Sequence, residues 1–147
     1  MWTGRLGAAA LATALFVIAL PTPSGAQVTC TLTGTQGPDN LRGTQGADVL
    51  CGRSGSDRIA GVRGDDTLFG QGGRDLLIGG GGNDILNGGR GGDTLIGGRG
   101  RDRLNGGAGP DLIDAAGGGR DIVRGGPGRD VCYVSPNDIV SGCERIV

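Results

Sequence analysis

Residues 79–114 read GGGGNDILN GGRGGDTLI GGRGRDRLN GGAGPDLID. Each nine-residue line carries glycine at its first, second and fourth positions, aspartate at its sixth and an apolar residue at its eighth. The same phase runs outward in both directions. It places aspartates at Asp39, Asp48, Asp57, Asp66, Asp75, Asp84, Asp93, Asp102 and Asp111. One extra residue near Ala115 displaces the next to Asp121, and Asp130 follows nine later. Two residues after these aspartates stand Leu41, Leu50, Ile59, Leu68, Leu77, Leu86, Leu95, Leu104, Ile113, Val123 and Cys132. A disordered glycine-rich linker does not hold three residue types in register over eleven units. A collagen helix needs a strict three-residue period, which is absent here.

An apolar residue flanked by two outward ones is a short strand with period two. The glycine-rich residues between such triplets turn tightly and present their backbone. Strand, turn, strand, turn makes an 18-residue coil of two repeats. The expected fold is all-β: a parallel β-roll, or β-solenoid, of about eleven nonapeptide repeats with disulfide-stapled ends. One inward ladder is Leu41, Ile59, Leu77, Leu95, Ile113, Cys132; the facing ladder is Leu50, Leu68, Leu86, Leu104, Val123. A core one side chain thick is small beside the cost of ordering a chain with 35 glycines among 147 residues. Another source of folding energy is therefore expected.

Composition narrows the function. The chain has no histidine, 3% aromatic residues and a formal net charge of -1. All 14 basic residues are arginine, and 14 of the 15 acidic residues are aspartate. Absence of histidine removes the Ser/His/Asp and Cys/His arrangements and the common zinc sites. Near-neutral charge speaks against a polybasic nucleic-acid binder.

Residues 1–26 read as an export signal: Arg5, the apolar run Ala8 to Leu20, then Pro21, Pro23 and the small residues Ser24-Gly25-Ala26. The run is short for a membrane span, so no span is expected once the signal is removed. The expected location is secreted, outside the cell. Four cysteines remain, Cys30, Cys51, Cys132 and Cys143, and an even count in an exported chain reads as disulfides with three possible pairings. The economical pairing is Cys30–Cys51 and Cys132–Cys143, one staple per end. The expected organisation is a signal at 1–26, an N-terminal cap at 27–33, the roll at 34–133 and a C-terminal cap at 134–147.

The aspartates stack in the coil, and like charges about 5 Å apart repel unless something lies between them. A hard divalent cation suits carboxylate and carbonyl oxygens, and calcium accepts six to eight flexible oxygen ligands where magnesium demands a tighter octahedron. The candidate metal residues are the eleven column aspartates, and the expected cofactor is Ca2+. A single Asp is better explained by a hydrogen bond to its own turn; eleven in register are not.

These residues closely resemble the RTX, or hemolysin-type, calcium-binding nonapeptide G-G-x-G-x-D-x-U-x, over about residues 34–133. The resemblance implies a parallel β-roll with calcium between same-side loops of successive coils, the aspartates giving carboxylates and the turns carbonyls. It implies a roll that folds when calcium is met outside the cell. Thr35, Thr44, Arg53, Val62 and Gln71 replace the second glycine, which points to weaker binding there. Arg74, Arg101, Arg120 and Arg129 stand beside column aspartates. They point to partial occupancy, or to outward arginines that replace part of the calcium charge. Toxin activity is not implied: these residues contain no effector segment, and the signal expected is N-terminal.

The expected protein is thus a secreted calcium-binding repeat protein, not an enzyme, with a structural, adhesive or partner-binding role. Its partners are calcium ions and an extracellular or cell-surface molecule, not nucleic acid. Leu76, Ile78, Thr94, Ile96 and Leu112 would adjoin on one face, and Val49, Thr67, Phe69 and Ile85 on the other, as a candidate partner or self-association surface. Two alternatives are a calcium-independent surface- or ice-binding solenoid and a secreted hydrolase. The first wants an array of outward threonines, and only Thr67 and Thr94 occupy outward strand positions. The second has Ser54, Ser56, Ser135 and Ser141 but no histidine to activate them.

Overall fold

The computed structural model describes residues 28–147, and the expected export signal lies outside the described residues. Fourteen strands and no helix occur among the described residues. One sheet contains β1 (Leu32–Thr33), β3 (Val49–Ser54), β5 (Thr67–Gly72), β7 (Ile85–Arg90), β9 (Arg103–Ala108), β11 (Ile122–Arg124) and β13 (Ile139–Ser141). The other contains β2 (Asn40–Arg42), β4 (Arg58–Ala60), β6 (Leu76–Gly81), β8 (Thr94–Arg99), β10 (Leu112–Asp114), β12 (Val131–Tyr133) and β14 (Arg145–Ile146). Every pairing within a sheet is parallel, and successive strands alternate between the two sheets. The chain is a β-solenoid of about six coils.

The register carries the repeat directly into space. Leu50, Leu68, Leu86, Leu104 and Val123 face one another along the first sheet. Leu41, Ile59, Leu77, Leu95, Ile113 and Cys132 do so along the second. Both ladders are buried and meet as one core. Pairing advances by 18 residues until the insertion at Ala115; there Leu104 meets Val123 and Ile113 meets Cys132, an offset of 19. The extra residue is absorbed in a turn, because shifting a strand by one would turn its core residue outward.

The central strands are longer than the expected triplets. β3 and β5 to β9 are six residues each, and pairing continues through the glycines, with Gly80 opposite Gly98 and Gly89 opposite Gly107. Glycine weakens an ordinary strand, but here it lets one coil's backbone lie directly on the next.

At the ends, Cys30 is bonded to Cys51 and Cys132 to Cys143. β13 extends the first sheet, and β14, which lies outside the repeat phase, extends the second. Leu76, Thr94 and Leu112 adjoin on one outer face, as do Ile78 and Ile96. On the other, Val49, Thr67 and Ile85 form one row with Phe69 beside it.

Candidate metal centre

The solenoid arranges the column aspartates into two ladders, one along each row of turns. From Asp39 to Asp111 each column aspartate N–H donates to Oδ1 of the column aspartate one coil ahead: Asp57 to Asp75 at 2.9 Å, Asp75 to Asp93 at 2.8 Å and Asp93 to Asp111 at 2.8 Å on one side. On the other, Asp66 donates to Asp84 at 2.8 Å, Asp84 to Asp102 at 2.8 Å and Asp102 to Asp121 at 2.7 Å. The aspartate carbonyl is occupied as well, as in the 2.8 Å bond it accepts at Asp75 from the N–H of Thr94. One carboxylate oxygen of each column aspartate from Asp57 to Asp130 is therefore consumed in holding the previous coil.

The other oxygen is not. Oδ2 of Asp57, Asp66, Asp75, Asp84, Asp93, Asp102, Asp111, Asp121 and Asp130 is buried without a hydrogen-bond partner. A buried, unpaired carboxylate oxygen is costly. Burial pushes the carboxyls of Asp75, Asp84, Asp93, Asp111 and Asp121 up to about 6. The N–H bond from the previous coil opposes this rise, and the charge of stacked neighbours adds to it. Burial likewise raises Asp57, Asp66, Asp102 and Asp130.

What lies beside Oδ2 defines the chemistry. A Cβ added to Gly88, the first residue of its repeat, would sit 2.5 Å from Asp93 Oδ2 and 2.5 Å from the carbonyl oxygen of Gly106 on the next coil. Gly52, Gly61, Gly70, Gly79 and Gly106 stand in the same relation to their own aspartate and to the following coil's carbonyl. The missing side chain thus leaves a cradle in which a carboxylate oxygen and a backbone carbonyl converge. An all-oxygen donor set of this kind fits calcium. No three acidic or thiol side chains converge on one point among the described residues, so carbonyls have to complete any coordination shell.

The eleven aspartates are not equivalent. Asp39 and Asp48 are half-buried, and their Oδ2 atoms have protein partners. Thr35 donates to Asp39 Oδ2 through its N–H and its hydroxyl, and Thr44 does the same to Asp48. The N–H and hydroxyl of Thr44 hold the Asp48 carboxyl below its usual range. At the far end the ladders close on residues outside the column. Asp121 N–H donates to Asp138 Oδ1 at 2.9 Å, and Asp130 N–H to Glu144 Oε2 at 2.7 Å. Asp138-Ile139-Val140 still resembles a repeat strand in the sequence, and β13 forms there; Glu144 has no repeat phase, and its longer reach serves a coil that has lost it.

Arg74, Arg101, Arg120 and Arg129 are exposed. The Oδ2 atoms of the aspartates that follow them stay unpartnered. The arginines lie at the surface, and none of them hydrogen-bonds the Oδ2 of the aspartate that follows it. A minor ladder runs beside them: Asp65 Oδ1 accepts the N–H of Asn83 at 2.7 Å, and Asn83 Oδ1 that of Arg101 at 2.9 Å.

Two parallel sheets wound from nine-residue units, with buried aspartates facing backbone carbonyls, define the class of calcium-binding β-rolls. The family model for the RTX calcium-binding nonapeptide repeat (four copies) matches residues 31–59, 52–86, 60–95, 87–119 and 96–132. The chain belongs to this family. Comparison with curated proteins and with solved structures gives no match.

Proposed function

We propose that this protein is a secreted structural element that calcium folds and stiffens, acting by binding rather than by catalysis. Calcium would be held by the buried aspartates from Asp57 to Asp130 together with carbonyls of first-position glycines such as Gly88 and Gly106. The ion, when bound, would supply positive charge opposite the buried carboxylates. The chain's own residues do the rest: Oδ1 of each aspartate ties its coil to the previous one, and the absent Cβ keeps the cradle open. Asp39 and Asp48, satisfied by threonine, would serve as a metal-free first coil. An oxidising location outside the cell suits the two disulfides.

The observation that carries this reading is the set of nine buried Oδ2 atoms without partners. It is tested by far-UV circular dichroism of the oxidised protein, first in chelator and then titrated with calcium or magnesium. The expected result is β signal that grows with calcium and not with equal magnesium. A spectrum fully β in chelator and unmoved by calcium, with no heat of binding by calorimetry, overturns it.

A further inference from the structure

The fold sorts its charges by sign. Nine of the acidic side chains are buried. The acidic residues left at least partly open to solvent among the described residues are Asp39, Asp48, Asp65, Asp114, Asp138 and Glu144. Arginines go the other way: 13 are described and 12 of them are exposed. A chain with formal charge -1 therefore presents a cationic exterior wherever its interior is neutralised.

The arginines also cluster. Arg99, Arg101 and Arg103 lie on one coil, and Arg120 on the next, around the corner where the second sheet turns into the first, with Arg124 at the end of β11 on the adjoining face of the first sheet. Three clefts open along this corner, with volumes of about 320, 630 and 280 Å³. Arg103 lines all three, so the clefts adjoin one another at its side chain and together make a track. Arg101, Arg120 and Arg124 share it. The one carboxylate in the linings belongs to Asp102, which is buried. Asn87 and Asn105, opposite each other in β7 and β9, add amides to the same surface.

We propose that this corner binds a linear anionic polysaccharide, a sugar chain bearing sulfate or carboxylate groups. Guanidinium forks pair with such groups two bonds at a time. The stacked amides of Asn87 and Asn105 offer both donors and acceptors to neutral sugar hydroxyls. Ile85 and Ile122 give the track an apolar floor for sugar-ring faces. No aromatic side chain lines these three clefts; Phe69, opposite Asn87, lines an adjoining cleft and is the single aromatic of the first sheet, where single-stranded nucleic acid stacks successive bases on several. The site deepens the proposed function by naming its partner, and it rests on that reading only in that neutralising the interior leaves the cationic surface unopposed.

The test uses the oxidised full-length protein in calcium and again in chelator, with circular dichroism recording the fold in each. The probes are heparin fragments, alginate as a carboxylate chain, uncharged dextran and a DNA duplex. Expected are binding to heparin or alginate, none to dextran, and a loss of about tenfold or more in Arg103→Gln/Arg124→Gln, where charge-assisted bonds are removed. The charge-matched Arg42→Gln/Arg58→Gln, at the other end of the solenoid, is expected to bind normally. Equal loss in both variants, equal binding of DNA, or no binding by folded protein overturns the proposal. If folded protein in chelator binds heparin and ignores calcium, the calcium reading fails and this one stands.

Discussion

Thr35 gives both its backbone N–H and its hydroxyl to one oxygen of Asp39, at 2.6 and 3.0 Å. Thr44 repeats the arrangement on Asp48 at 2.7 and 2.8 Å. At the other end Asp138 is satisfied on both oxygens, by the N–H groups of Asp121 and Ser135. The solenoid is therefore closed at its ends by protein donors and left open in the middle. A threonine in the second position reads in sequence as a damaged repeat; in space it completes one.

Removing the two hydroxyls tests that assignment. Thr35→Ala/Thr44→Ala is expected to lower the unfolding midpoint by a few degrees, since each change deletes a side-chain hydrogen bond while the N–H bonds remain. Calcium stoichiometry is expected to stay the same by calorimetry. A fall in stoichiometry would mean that the first coil also takes up metal.

The metal-free protein is expected to be more stable in mild acid than at neutral pH. Five carboxyls stand at about 6 in the folded protein against 3.8 for the ordinary group. Between those values the folded chain holds protons that the unfolded chain has released, so stability falls as pH rises. The contribution is fully present below the unfolded value and is lost as pH passes through the folded one. Thermal melts in chelator at about pH 5 and about pH 7.5 should show the higher midpoint at the lower pH. Calcium should raise the neutral midpoint most, because it replaces the proton. A midpoint that climbs with pH in chelator would show the ladder to be charged and satisfied without metal.

The ladders of the core were legible because the eighth position of the unit, being inward, fixes the phase of both sheets. The 18-residue coil and the burial of Leu50 through Val123 follow from that phase alone. The length of β5 to β9 was not legible, because propensity argues against glycine in strands and only coil-on-coil contact overrides it. β14 and Glu144 have no repeat phase to announce them. The cationic corner was hidden by bulk charge, which counts buried aspartates and exposed arginines alike.

Val62 offers a test of the turn backbone. It adopts φ +97°, a region in which a β-branched residue is strained, and the next coil places Gly80 at the same position with φ +112°. Val62→Gly is expected to stabilise the protein by about 1 kcal/mol, the relieved strain outweighing the added freedom of the unfolded chain. Gly80→Val should do the reverse and by more, because its Cβ would come 2.5 Å from the carbonyl oxygen of Val62. Urea melts in calcium compare both with wild type. If Val62→Gly destabilises, the valine side chain contributes more than its backbone costs.

Asp93→Asn separates charge from shape. The amide oxygen can still accept the N–H of Asp75, which now bonds Oδ1 at 2.8 Å. The amide nitrogen replaces the bare Oδ2 and brings a donor toward the carbonyl of Gly106, which shares the cradle of Gly88. In chelator at neutral pH the variant is expected to be more stable than wild type by about 1–3 kcal/mol, the usual cost of a buried unsatisfied group. In calcium the order should invert, because the neutral amide is a poorer ligand for a hard cation and one coil loses its ion. Paired melts with and without calcium read both signs in one experiment. A variant destabilised equally in the two conditions would make Asp93 a purely structural hydrogen-bond acceptor and remove it from the metal ladder.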